Sequence, residues 1–503
     1  MILELLTWAG YLFVTLLVGV VTTAIIYTRW NYGVLESTKG LPAVIQPYFV
    51  GGSDPFFYKS ICCEDDMRRA KMYGPIYGMY EGRAPHIYIT DPELIRLIFI
   101  KDFDHFQNKR IFETGHELIN DMMDILPYDK WKVVRNYFSP QLTTGKIKSM
   151  SYQMHETIDD WMKKMIKKAD GTRYTADLRT DFTALTVDVI ARCAFGTKIN
   201  VLDDPNDPFF NYVRKMSFDD VEPNWMFSAI QMFPFLATLQ PFFPKEVMDF
   251  FGDLLKNILS TRRQSKQRAN DFVDVMNDMI DKCKTDPEYK RLGIDENTAM
   301  CQAMIFLLAG FQTTAETLTL MAFRLSQHPE IQDRLIQEVD DFYKRHNGKI
   351  EHDHLSELVY LTACMNETLR MNPALIRIER VCQKDWTHAP SGLTVKKDTA
   401  IQVSAFAVHF DEKNFPEPYE WKPERFLPEN KESMNQYAFL SFGQGPHNCI
   451  GMRFAKEEIQ MTMASILKSF RFEDTEGAKL KMKPGRVFLN NYEPFNLCMV
   501  PRK

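Results

Sequence analysis

The sequence predicts a mainly α protein with small β-sheets, organised as one large domain behind a single N-terminal transmembrane helix. Three observations lead there. Residues 5–28 carry no charge and are rich in Leu, Val and Ile, long enough to cross a hydrocarbon core that needs about 20 apolar residues. Helical periodicity then recurs at 149–168, 174–194, 246–268, 271–283, 297–326, 330–346, 355–371 and 450–470. Strand-like runs are short and scattered, at 76–80, 86–89, 393–395, 400–403 and 495–500, too few and too separated for an alternating α/β architecture.

Taken in order, the apolar run opens the chain as an anchor at 1–28. Trp8, Tyr11, Tyr27 and Trp30 stand near its ends, where amphipathic rings settle at a membrane interface. A cleaved signal would begin basic and be shorter; here Glu4 precedes the run while Arg29 and Lys39 follow it, which places the body in the cytosol. Residues 29–52, with Lys39-Gly-Leu-Pro-Ala-Val-Ile-Gln-Pro, read as a stiff linker, and 53–503 as the body. With 503 residues, 45% hydrophobic and 13% aromatic, the chain can bury a large core. A net charge of −5 gives no global attraction to nucleic acid, so a basic partner site has to be a local patch. The nine cysteines are odd in number and form no C-x-x-C pair or zinc spacing, which reads as reduced thiols in a cytosol-facing body. Segment 205–250 crowds Phe209, Phe210, Trp225, Met226, Phe227, Met232, Phe233, Phe235, Phe242 and Phe243 beside prolines, suiting either core or a membrane-touching lid. The charged run 262–268 reads as a solvated helix end.

One cysteine stands apart. Phe442-Gly443-Gln444-Gly445-Pro446-His447-Asn448-Cys449-Ile450-Gly451 is a tight loop that ends immediately before an amphipathic helix. A sulfur at a helix N-terminus meets unpaired N–H groups and the positive dipole end, which favour thiolate. Gly445 and Gly451 leave room for backbone to approach a flat cofactor. A core cysteine after a turn is the plain alternative. A dinucleotide loop is excluded because the position of its third glycine holds Asn448.

This decapeptide, F-x-x-G-x-x-x-C-x-G, resembles the haem-binding loop of the cytochrome P-450 family, the haem-thiolate monooxygenases. Upstream segments resemble the family in the same order: Trp131-Lys-Val-Val-Arg135, Ala309-Gly310-Phe311-Gln312-Thr313-Thr314, Glu367-Thr-Leu-Arg370 and Trp421-Lys-Pro423-Glu424-Arg425-Phe426. The likeness extends over residues 40 to 503. It implies the P-450 fold and haem b ligated through Cys449, whose thiolate pushes electron density onto iron. It implies Phe442 as an apolar shield of the sulfur, and Trp131, Arg135, Arg380 and His447 as contacts to the haem propionates. Ala309 and Gly310 fall in the oxygen groove, with no side chain at Gly310 to obstruct oxygen, and Thr313 beside Gln312 serves proton delivery, Glu316 lying one turn on. Glu367, Arg370 and Arg425 fall in a buried structural network. O2 is then the co-substrate. NADPH acts only through a flavoprotein reductase, since no nicotinamide fingerprint occurs in the sequence, and cytochrome b5 is a further candidate partner beside membrane lipid. The expected reductase patch comprises Lys130, Lys132, Lys146, Lys148, Arg453 and Lys456, and the expected location is the endoplasmic reticulum (microsomal) membrane, single-pass.

Two positions depart from the family pattern. His447 stands where Arg is usual, which would make a propionate contact pH-dependent, and Gln312 stands where an acid is usual. The second keeps open a haem-thiolate isomerase or dehydratase acting on peroxides without a reductase; Thr313 argues against it. A non-catalytic electron carrier is disfavoured by the oxygen-groove motif. The stretch around Ile376-Arg-Ile-Glu-Arg380-Val-Cys resembles the broad-specificity animal enzymes that hydroxylate or epoxidise xenobiotics, toxins and steroids. By position, Ile305, Ala309, Ala374, Leu375, Ile376 and Phe488 would line a pocket for lipophilic small molecules.

Overall fold

The computed structural model describes all residues except 111–114, 200, 202–206, 217–222, 240, 242, 476, 487 and 503, so Phe242 lies outside the described residues. The first helix, Ile2–Arg29, has a mean hydropathy of 2.2 in its most apolar stretch and none of that stretch is buried. At 1.5 Å per residue its length suffices for a bilayer core of about 30 Å, and it is a candidate transmembrane span. The helix Glu296–Gln327 is also long and apolar, but 61% of its most apolar stretch is buried. It is the central helix of the body.

All eight periodic segments are helical, as Thr144–Ala169, Leu178–Phe195, Lys245–Ser265, Phe272–Thr285, Glu296–Gln327, Pro329–Arg345, Val359–Met371 and Met452–Ser469. Three starts differ most from expectation: Thr144–Ala169 begins before 149, Val359–Met371 begins after 355, and Leu178–Phe195 begins after 174. Residues 174–176 form a strand, Tyr174–Ala176, and the helix begins after Asp177, whose side chain accepts the Arg179 N–H and satisfies one of the orphan donors of the first turn. The central helix opens on a reciprocal cap between Asp295 and Thr298.

The five-stranded sheet runs in the order Val44–Ile45, Ile76–Glu81, Ala84–Ile89, Ala400–Ser404, Arg377–Val381. A three-stranded sheet joins Tyr174–Ala176, Leu497–Pro501 and Phe470–Glu473, and a hairpin pairs Trp386–His388 with Leu393–Val395. The stretch expected as a linker, 29–52, is packed against the first sheet rather than free. Leu35 is buried, Val44–Ile45 pairs in parallel with Gly78 and Met79, and the Tyr80 hydroxyl accepts N–H bonds from Gly33 and Leu35 while donating to Glu36.

The helix that follows the cysteine loop carries an unusual core residue. Glu458 is buried, its Oε1 has no partner, and burial alone pushes its carboxyl well above the ordinary range. The folded protein therefore holds a proton that the unfolded chain releases above about pH 4.3. Stability contributed here is present at low pH and is lost as pH rises toward the folded value, about 1.4 kcal/mol for each unit between the two. Glu458→Gln, neutral and nearly isosteric, is expected to raise the thermal midpoint more at pH 7.5 than at pH 5. An equal effect at both pH values would contradict the assignment.

Candidate functional site

The cysteine loop is shaped by its glycines. Gly443 and Gly445 adopt φ of 70° and 71°, a region that L side chains rarely enter. A Cβ on Gly445 would lie 2.0 Å from the Phe99 carbonyl oxygen, so only glycine allows the loop to rest on that backbone. The Cys449 N–H donates to the Phe442 carbonyl at 2.8 Å, and Asn448 N–H to Gly445 at 3.0 Å. These bonds aim Cys449 just ahead of Met452–Ser469. Its own surface is open, and desolvation by the protein around it raises its pKa, a rise that the Gly451 backbone and the Arg135 charge oppose. A metal cation at the sulfur favours the thiolate.

A cationic cradle surrounds the loop. Helix Tyr128–Phe138 carries Trp131 and Arg135 four residues apart, on one side. Arg135 donates to both the carbonyl and side-chain oxygens of Asn448 at 3.0 Å. The Trp131 and His447 rings lie 3.8 Å apart. His447 Nε2–H donates to the Gln107 carbonyl at 2.8 Å, leaving a buried Nδ1 with no partner. Burial and then the charges of Arg380, Lys109 and Arg135 push the imidazole down to about 2. That shift keeps the imidazole neutral in the protein alone, and a carboxylate placed beside it would raise it again. Arg380 is buried over the Phe99 ring; among the described residues its Nε has no partner, and burial takes it down to about 9, opposed by Glu379. Glu379 is itself committed to Arg110 and Gln402 at 2.7 Å each.

Lys109 completes the cradle and was missed by sequence reading. Its Nζ donates to the Asp124 carbonyl at 3.0 Å, and burial lowers it to about 8. Among the described residues the acid that acts on it most strongly is Asp124, whose own carboxyl is shifted upward by desolvation. The Asn108–Val381 bridge sets this segment beside Arg380, a long-range pairing that no local pattern announces. Among the described residues, three cations and an imidazole are gathered here with little acid to answer them. Desolvated charge of one sign is costly, and a flat apolar group bearing carboxylates would answer it.

Behind the loop lies a compensated network. Arg370 donates to Glu367 through Nε and Nη2 at 2.7 and 2.8 Å, both side chains fully buried. Its remaining donors reach the carbonyls of His409 and Pro418. Glu367 also accepts from the Lys422 N–H at 3.0 Å and from Arg425 at 3.3 Å. His409, another residue the sequence did not single out, joins this network to the loop. Its Nδ1–H donates to the Arg370 carbonyl at 2.7 Å and its Nε2 accepts the Leu440 N–H at 2.9 Å. Burial and the Arg370 charge take it down to about 3, so the neutral tautomer is fixed.

On the central helix, Ala309 is exposed although Leu307, Leu308 and Phe311 around it are buried; the space beside it is not filled by protein. Thr313, one turn on, donates its hydroxyl to the Ala309 carbonyl at 2.9 Å. Gln312 is half-buried. Glu316 is paired with Arg179 at 3.1 Å, which removes it as a free proton source. At Gly310 a Cβ would lie 2.9 Å from Ile190 Cδ1, so the missing side chain also eases the helix crossing with Leu178–Phe195.

Among the pocket candidates, Leu375 and Phe488 are exposed and Ile305 and Ala374 half-buried. Ile376 is a correction: it packs in a small core cluster with Cys63 and Phe406, as alternation along an extended segment requires when Leu375 faces out. Lys130 is another, being mostly buried and paired with Asp121 at 2.5 Å. Lys148 is paired with Asp353, Lys146 lies 3.5 Å from the Asn270 carbonyl, and Lys456 sits over the Phe442 ring at 5.2 Å. Lys132 and Arg453 remain exposed.

The class follows from comparison with family models. The Cytochrome P450 model matches residues 52–499; the chain belongs to the cytochrome P450 family and is a haem-thiolate monooxygenase, working with O2 and reductase-supplied electrons. The isomerase reading is not favoured. Among similar proteins, cytochrome P450 3A56 of Fundulus heteroclitus is 33% identical over 97% of this chain and 98% of its own length. Cytochrome P450 3A28 of Bos taurus is 34% identical over 95% of this chain and 93% of its own, and cytochrome P450 3A11 of Mus musculus 33% over 89% and 88%.

His409→Phe would strand the Arg370 carbonyl and the Leu440 N–H, each unsatisfied buried group costing about 1–3 kcal/mol. A stability loss of about 2–4 kcal/mol is expected in denaturation of the haem-loaded protein, with a smaller loss for His409→Gln, which keeps a donor and an acceptor. Equal losses in the two variants would contradict the linking role.

Proposed function

We propose that Cys449 would hold the iron of haem b through its thiolate and that Lys109, Arg135, Arg380, Trp131 and His447 would hold its carboxylates. The observation that carries this reading is the set of under-compensated cations beside an open-surfaced cysteine. Haem, when bound, supplies the oxygen activation. The chain's residues supply the rest. Arg135, Arg380 and Lys109 answer carboxylate charge with charge-assisted hydrogen bonds, and the Trp131 indole adds a neutral donor. Phe442, covered by Lys456, keeps water from the sulfur. Thr313, with its proton turned to Ala309, offers acceptor lone pairs to the cleft, and rotation of the hydroxyl makes it a donor. Gln312 contributes an amide that orients hydrogen bonds without exchanging a proton near neutrality.

Substrates of this reading are lipophilic, received by Ile305, Ala309, Ala374, Leu375 and Phe488, and hydroxylated or epoxidised in the manner of broad-specificity xenobiotic- and steroid-oxidising enzymes. An NADPH-dependent flavoprotein reductase docks through a patch smaller than the sequence suggests, centred on Lys132 and Arg453, and cytochrome b5 shares that face. The chain divides into an anchor at 1–28, a connecting segment at 29–52 and a catalytic body at 53–503. It crosses the endoplasmic reticulum membrane once with its body cytosolic. The aromatic segment supports contact with lipid: Trp225 and Phe235 are 63% and 65% exposed, and Phe233 stacks on Tyr27 of the anchor helix at 5.8 Å, while Phe210, Met232 and Phe243 are core.

Cys449→His tests the ligand. The reduced carbon-monoxide complex of the wild type is expected to show the red-shifted band diagnostic of thiolate, and the variant a globin-like band with oxygen-dependent turnover lost. A variant that keeps the red-shifted band would overturn the proposal.

A further inference from the structure

Three ligating side chains meet in a turn away from the cysteine loop. Helix Pro329–Arg345 ends at His346, and Asn347 and Gly348 take φ of 54° and 78°, reversing the chain. The 3₁₀ segment His352–Glu357 then returns beside the helix end. Residues three apart eclipse in such a segment, which sets His354 and Glu357 on one side. His346 Nε2 lies 3.0 Å from Glu357 Oε2 and His354 Nδ1 lies 3.6 Å from Oε1. The two imidazoles stack with centroids 3.9 Å apart, and one ligand atom from each residue falls within 4.8 Å of the others. Tetrahedral zinc with bonds of about 2.0–2.1 Å places its donors roughly 3.4 Å apart; the observed separations bracket that spacing. His346 is held in place by the Phe342 ring at 4.7 Å, and the carbonyl end of the helix adds negative potential.

We propose that His346, His354 and Glu357 form a surface site for a divalent transition-metal ion of the zinc class, with water completing the coordination. Two imidazoles and one carboxylate suit zinc, cobalt or copper and disfavour calcium or magnesium. The occupant the ion has to displace is Arg345, whose Nε and Nη2 lie 3.2 and 3.1 Å from Glu357 Oε2. An ion here would clip the end of Pro329–Arg345 to the 3₁₀ segment. The same segment is fastened through His352 to Glu457 at 2.7 Å on the helix that follows Cys449, and through Asp353 to Lys148.

The alternative, a plain ion-pair cluster around Glu357, predicts opposite behaviour when Arg345 is removed. The test is titration of the EDTA-washed full-length holoenzyme with Co²⁺, followed by its absorption, and with Zn²⁺ by calorimetry. The wild type is expected to bind one ion that His354→Ala and Glu357→Gln weaken by at least about tenfold, while Arg345→Gln tightens it several-fold and the haem spectrum is unchanged in all. No difference in ion uptake between the wild type and a His346→Ala, His354→Ala double variant would overturn the proposal. So would an Arg345→Gln variant that binds the ion no more tightly than the wild type.

Discussion

A charged side chain taken out of water has to be answered by an opposite charge or a full set of hydrogen bonds, and this protein is arranged around two unequal answers. Glu367 and Arg370 are fully buried and saturated: the carboxylate takes two guanidinium bonds, a backbone N–H and Arg425, and the guanidinium spends its other donors on carbonyls. Some residues away, Arg380 and Lys109 are held where burial works against their charge, with a neutral histidine and Arg135 alongside. The first arrangement is complete within the chain. The second, among the described residues, is left open to an anion from outside the chain.

The two are mechanically connected. Arg370 passes its position through its own carbonyl to His409, and His409 passes it to the Leu440 N–H at the entrance of the cysteine loop. Ser441 adds a bond to the Leu369 carbonyl at 2.9 Å. At its far side the loop rests on Phe99 through Gly445 and on Arg135 through Asn448. The loop that carries the sulfur is therefore held by contacts from three separate parts of the chain, which suits a ligand that has to be pre-positioned. Rotamer freedom of the cysteine alone would not give that precision.

Legibility in the sequence followed the range of the interaction. The long helices, the anchor and the loop before Met452–Ser469 all show in local periodicity and turn residues, and the eight helical segments fall where the pattern puts them. The short strands Val44–Ile45 and Arg377–Val381 do not, because their identity lies in partners tens of residues away, at Gly78–Met79 and Ala400–Ser404. The same holds for Lys109 and His409, which acquire their surroundings only on folding. Ile376 and Lys130 show a further limit. Motif position places a residue near a site but leaves open which way it faces, and here the Cys63–Phe406 cluster and Asp121 claim them.

The under-compensated cradle makes the most direct demand on experiment, and it concerns carboxylates rather than iron. Binding of haem and of its dimethyl ester to the apoprotein isolates that demand, since the two differ only at the propionates, where the ester replaces each carboxylate with a neutral methyl ester. With charge-assisted hydrogen bonds worth about 1.5–3 kcal/mol each, the ester is expected to bind at least about a hundredfold more weakly, and Arg380→Ala to narrow the gap. Equal affinities for haem and ester in the wild-type protein would contradict the role given to Lys109, Arg135 and Arg380.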